Sequence, residues 1–134
     1  MTWANDYVGI PYTHLGRTAE GADCYGLIRL AMLEQFNIDM PALTTDSAHT
    51  PRALAKEFLA LRRVFTKVEN AQEGDLIIFK TLGQPNHVGI VIGIDSYFLH
   101  TEPMKNACIE SWKSSMWRHV LDSVWRHKSK CLHK

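Results

Sequence analysis

The sequence predicts an α+β fold, with N-terminal helices packed on one face of a small antiparallel β-sheet or partial barrel. Two observations carry this. Helical spacing is confined to the region before residue 64. From Gly74 onward the pattern becomes short β-branched or aromatic runs separated by Gly, Pro, Asn and Asp. A third observation sets the scale: 134 residues with 46% hydrophobic content suit one compact domain, 1–134, with a single core. Two independent domains would each be small enough to need covalent or metal staples.

In chain order, "TWANDYVGIPY" reads as a short helix stopped by Gly9 and Pro11. "THLGRTAEGAD" reads as a glycine-punctuated loop. From Cys24 the pattern turns helical: Cys24, Leu27, Ile28 and Ala31 fall at i, i+3, i+4 and i+7. Asp23 is a suitable N-cap, and the helix is expected to fade near Asn37. A second helix is signalled by "TPRALAKEFLALRR", with Thr50 as cap, Pro51 at the first helical position, and Leu54, Phe58 and Leu61 on one face. The runs "GDLIIFK", "HVGIVIG", "SYFLHT", "ACIESW" and "HVLDSVWR" follow as strands.

The charge balance, 15 Lys/Arg against 14 Asp/Glu, gives no global argument for a nucleic-acid or membrane partner. The distribution is uneven: Trp112 to Lys134 holds six basic residues and one acid. Its end, about 127–134, reads as a solvated basic tail. No stretch approaches the ~20 apolar residues of a membrane helix. The first ten residues lack the basic and apolar regions of a secretory signal. Cys24, Cys108 and Cys131 are odd in number and scattered. That argues against a disulfide framework and a cysteine-rich zinc site, and for synthesis in a reducing compartment. Cys108 is expected in the core; the four tryptophans suit either the core or a glycan groove, with Trp112 and Trp117 the better groove candidates.

Three readings of Cys24 compete: a small buried apolar residue, a metal ligand with His87 and His100, or a nucleophile. At the first turn of a helix, outward-pointing amides and the helix dipole favour a thiolate and can hold an oxyanion. Gly26 keeps that face thin enough for close approach by another chain. His87 opens one strand and His100 ends the next. If the two strands form a hairpin, their outer ends meet and one imidazole can fix the tautomer of the other.

The blocks "PYTHLGRTAEGADCYGLIRL", "EGDLIIF", "NHVGIVIG" and "YFLHT" occur in this order. Together they resemble the NlpC family of papain-like cell-wall cysteine peptidases, most of all its phage-tail-associated members. The similarity runs from about Asp6 to about Arg126. Circularly permuted relatives place the histidine before the cysteine, and the order here excludes them. The resemblance implies a papain-like fold, no metal or other cofactor, and hydrolysis of an amide in the peptidoglycan stem peptide, in this family usually between γ-D-glutamate and the diamino acid. It implies Cys24 as nucleophile, His87 as general base and His100 as the residue that orients it. Tyr12 would line the substrate's amino end, Asp23 would receive the free amine of the stem, and Tyr25 stands where many relatives carry a serine for amine recognition. It further implies cytoplasmic synthesis and delivery to the wall by phage tail proteins, by a secretion apparatus or by lysis. Two other roles stay open: a catalytically silent tail assembly subunit, and a secreted antibacterial amidase effector.

Overall fold

The computed structural model describes residues 3–13, 16–40, 61–81, 83–93 and 96–131. The helix expected over residues 50–63 lies outside the described residues except for Leu61–Arg63, which form a 3-10 turn. A second 3-10 turn covers Trp3–Asp6. The segment that reads as a loop before Cys24 contains a minimal hairpin, β1 (Arg17–Thr18) and β2 (Gly21–Ala22). Helix α1 (Cys24–Phe36) follows. Strands β3 (Phe65–Val68), β4 (Leu76–Thr81), β5 (Gln84–Ile92), β6 (Tyr97–Glu102), β7 (Lys105–Ser111) and β8 (Leu121–His127) form one antiparallel sheet in the order β3-β8-β4-β5-β6-β7. Short helices α2 (Ser115–Arg118) and α3 (Lys128–Cys131) flank β8.

All five strands read from the sequence are present. The one strand of this sheet not read, β3, is a four-residue edge strand whose central residues Thr66 and Lys67 are exposed. It has too little apolar alternation to be seen without β8, its partner. The opposite edge is lined by the N-terminal segment: Gly9 N–H donates to Ala107 O at 2.9 Å, and Ala107 N–H to Ile10 O at 2.8 Å. Covering β7 in this way removes a free edge.

Helix α1 begins where the sequence says it should. The Asp23 carboxylate accepts from Gly26 N–H at 2.7 Å, and Asn37 closes the helix in the left-handed conformation. Leu27, Ile28, Ala31 and Met32 are fully buried with Leu76, Ile78, Val88, Ile90, Ile92 and Leu99 of the sheet. Alternate residues of the same strands, Ile77, Phe79, Val91 and Phe98, enter a second cluster closed by Trp117. The sheet is therefore covered on both faces, not on one. This explains why "LIIF" is a continuous apolar run.

The close approach that Gly26 permits is used by the chain itself. A Cβ there would lie 2.1 Å from Gly16 O, so the residue that leads into β1 packs directly on the first turn of α1. The basic end is also less free than expected. The Lys130 ammonium donates to Glu73 O at 2.5 Å and lies 5.0 Å from the Phe36 ring centre.

Candidate active site

Cys24 is the first residue of α1 and is 9% exposed. Its sulfur accepts hydrogen bonds from the backbone amides of Val88 and Tyr25. Val88 lies beyond the last β5–β6 pair, Ile90↔Leu99, and immediately follows His87. The start of the helix and the start of the strand are thus in contact. Among the described residues, no hydrogen bond joins the Cys24 sulfur to the His87 ring.

The two histidines meet as the hairpin reading expects, with His87 Nε2 and His100 Nδ1 2.9 Å apart. The His87 ring is stacked on Trp117, with centres 5.4 Å apart and planes inclined by 20°, and borders Phe79 at 5.8 Å. His100 is completely buried, and its Nε2 lies 2.8 Å from Glu110 Oε2. That carboxylate also accepts from the Lys105 ammonium at 2.7 Å and from Trp117 Nε1–H at 3.0 Å. Glu110 and Lys105 carry no expectation from the sequence, which leaves Trp117 open between the core and a groove. At 6% exposed, Trp117 belongs to the second core cluster. Cys108 is partly exposed beside the pair, 3.7 Å from His100 Nε2 and 3.6 Å from Glu110 Oε2, and so is not the core cysteine expected.

The electrostatics correct one expectation. Burial pushes the Cys24 thiol up to about 12, and the charge of Asp23 adds to the rise; the Val88 and Tyr25 amides and Arg17 pull the other way without prevailing. Burial likewise lowers His87 to about 3, helped by His100. His100 is lowered by burial against the pull of Glu110. Helix-start geometry does not outweigh desolvation here, and the resting pair is a neutral thiol and a neutral imidazole. For Glu110, burial alone would raise the carboxyl, but hydrogen bonds from Lys105, Trp117 and His100 win and hold it near 2.

The residues assigned to substrate binding are placed less uniformly. Tyr12 is partly buried, bridges to Ala22, and its hydroxyl is raised by burial and then by the charge of Cys24. Asp23 is 1% exposed and bound to both Gly26 N–H and the Arg17 guanidinium, the latter at 2.7 Å. The N-cap role is therefore present, and the Arg17 guanidinium shares the same oxygen, Oδ1. Tyr25 is 2% exposed within the main core, with the Arg17 guanidinium 5.9 Å from its ring centre. The structure thus gives Tyr25 a packing role with almost no surface for a substrate.

Among the described residues, the ligand-type atoms lying within 4.8 Å of one another belong to His100, Cys108 and Glu110, without Cys24. Their donor types suit zinc. The Lys105 ammonium, however, already occupies the cation position on Glu110 Oε2.

A cysteine-headed helix against an antiparallel sheet that carries a histidine pair defines the papain-like α+β class. Within it, the NlpC/P60 family model matches residues 9–126. The chain belongs to the NlpC/P60 family. It is 30% identical over 124 residues to a probable endopeptidase of Haemophilus influenzae, covering 91% of this chain and 69% of that protein. It is 26% identical over 113 residues to the murein DD-endopeptidase MepS/murein LD-carboxypeptidase of Escherichia coli K12, covering 84% of this chain and 53% of that one. The chain thus spans about half the length of MepS. Among solved structures, the NlpC/p60 domain of the peptidoglycan hydrolase SagA matches with a TM-score of 0.61 at 24% identity, over 92% of each chain. An NlpC/P60 family protein from Bacillus cereus matches with a TM-score of 0.70 at 21% identity, over 92% of this chain and 37% of that one. These likenesses show the fold.

Proposed function

We propose that the chain is a cysteine peptidase that hydrolyses an amide bond in the peptide stem of peptidoglycan through a thioester. One observation carries the reading. The Cys24 sulfur takes a hydrogen bond from the residue next to His87, whose ring is in turn bonded to His100. The names of the relatives, a probable endopeptidase and a murein endopeptidase, support the substrate class.

His87 Nε2 is committed to His100, so Nδ1 is the nitrogen left to exchange a proton with Cys24. Without substrate, catalytic hydrogen bonds are commonly long and tighten only in the complex. As Sγ attacks the scissile carbon, its proton passes to His87 Nδ1. The oxyanion is held by the Cys24 amide, which has no acceptor within the helix, and by the Tyr12 hydroxyl. The imidazolium returns the proton to the leaving amine, the C–N bond breaks and a thioester remains. His87 then deprotonates a water that attacks the thioester, and the acid and the free thiol are released.

Because both partners are neutral at rest, kcat/KM is expected to stay flat from roughly pH 5 to pH 9. Below that window His87 becomes protonated and stops accepting; above it the thiol ionises before substrate arrives. As these are coupled groups, the limbs belong to the pair. A limb near the ordinary imidazole value, about 6.5, would contradict the buried neutral pair.

The bond favoured by the family resemblance is γ-D-glutamyl–diamino acid. Asp23, which the resemblance assigns to the stem amine, is buried and shares one oxygen with the Arg17 guanidinium. Mass spectrometry of muropeptides digested with the purified protein tests the function and the bond together. Loss of the L-alanyl-γ-D-glutamyl end is the expected product pair, a split at the D-alanyl cross-link reassigns the bond, and an unaltered digest rejects the enzyme in favour of a silent assembly subunit. The resemblance to tail-associated members supports delivery by a phage tail. Tail genes beside the coding sequence are expected, and an adjacent immunity gene would instead mark a secreted effector.

A further inference from the structure

A single carboxylate lies at the far end of the histidine pair, and the hydrogen-bonding rules fix what it does. An ionised carboxylate only accepts, so His100 Nε2, 2.8 Å from Glu110 Oε2, must carry a proton. Buried and neutral, His100 has only that one proton, and its Nδ1 is a lone pair. His87 Nε2, 2.9 Å from that lone pair, must therefore be the N–H donor. His87 is neutral too, so its remaining nitrogen, Nδ1, is unprotonated and basic.

We infer that Glu110 is a positioning residue that sets the proton placement on His100 and, through it, selects Nδ1 of His87 as the base. The inference deepens the proposed function and rests on the reading of Cys24 and His87 as nucleophile and base. The carboxylate is well fixed for this task. Trp117 Nε1–H holds Oε1, and the Lys105 ammonium and His100 hold Oε2. The same Trp117 stacks on the ring of His87 and stands edge-on to His100 at 4.9 Å, so one indole aligns all three members. An amide cannot replace the carboxylate. Both oxygens of Glu110 face obligatory donors, so a glutamine NH₂ group must meet either the Trp117 N–H or the Lys105 ammonium. Turned toward His100, that NH₂ would donate to Nε2. His100 would then carry its proton on Nδ1, and His87 on the wrong nitrogen.

The test has two arms. In the first, kcat and KM on muropeptides are compared for the wild type and Glu110→Gln. The expected result is a fall in kcat on the order of 10²-fold with KM nearly unchanged; a kcat within about threefold of wild type overturns the inference. In the second, nitrogen chemical shifts and ring couplings of ¹⁵N-labelled protein give the tautomers directly, with no need for activity. The wild type is expected to show protonated Nε2 on both His87 and His100, and Glu110→Gln a shift toward protonated Nδ1. A wild-type His100 protonated on Nδ1 overturns the inference even if Glu110→Gln fails to fold. Inactive wild-type protein with the expected tautomers instead rejects the functional reading and leaves the proton placement standing.

Discussion

Cys24→Ala reduces muropeptide hydrolysis by several orders of magnitude, roughly 10³-fold or more, with the fold intact. The size follows from where the sulfur sits. It begins α1, takes the Val88 and Tyr25 amides as donors, and feels the charge of the neighbouring Asp23. No second group takes over. Cys108 lies across the histidine pair, on the Glu110 side, with its own thiol raised by burial. Removing a small side chain from a 9% exposed position costs little packing, so the loss is one of chemistry. Initial rates on purified muropeptides, with circular dichroism as the control for folding, measure it. A variant that digests as fast as wild type ends the cysteine mechanism.

The largest expected effect on stability belongs to Arg126→Met, at about 3–5 kcal/mol. Asp75 is completely buried and Arg126 is 5% exposed. The guanidinium donates to both carboxylate oxygens, from Nε at 3.0 Å and from Nη2 at 2.9 Å, and Nη2 also reaches Asn70 O. The pair ties the turn before β4 to β8, the neighbouring strand. Methionine keeps the aliphatic stem but leaves the Asp75 carboxylate buried with the Gln72 amide, at 2.8 Å, as its remaining donor among the described residues. Urea denaturation gives the difference directly. A loss under about 1 kcal/mol would show that water compensates Asp75, and that the pair is no more than a surface ion pair in strength.

Legibility from sequence varied with the range of the interaction. Helix α1 and its caps were readable because Asp23 acts on nearby Gly26, and Asn37 on nearby Met32. The strands were readable because their side-chain alternation and bounding turns are local. His87 opposite His100 was readable because a hairpin joins them. Glu110 carried a weaker signal: it follows Cys108 by two residues, so it shares a face with the residue that pairs with His100. Finding it required the β6–β7 register, which the sequence did not supply. Asp75 with Arg126, 51 positions apart, and Trp3 with Glu73, 70 apart, had no local signal at all.

By itself, then, the sequence determined helix α1 and five strands of the sheet in order, the placement of Cys24 at a helix start, and the two histidines at the open end of a hairpin. These follow from capping, periodicity and turn chemistry, all short-range. Tertiary structure alone decided that both faces of the sheet are buried, that Arg17 covers Asp23, that Tyr25 belongs to the core, and that Glu110 and Trp117 complete the histidine pair. It also decided the protonation of the nucleophile. The cost of desolvating a thiolate is set by every atom packed around the sulfur, and that packing includes β5, through Val88, far from the helix in sequence.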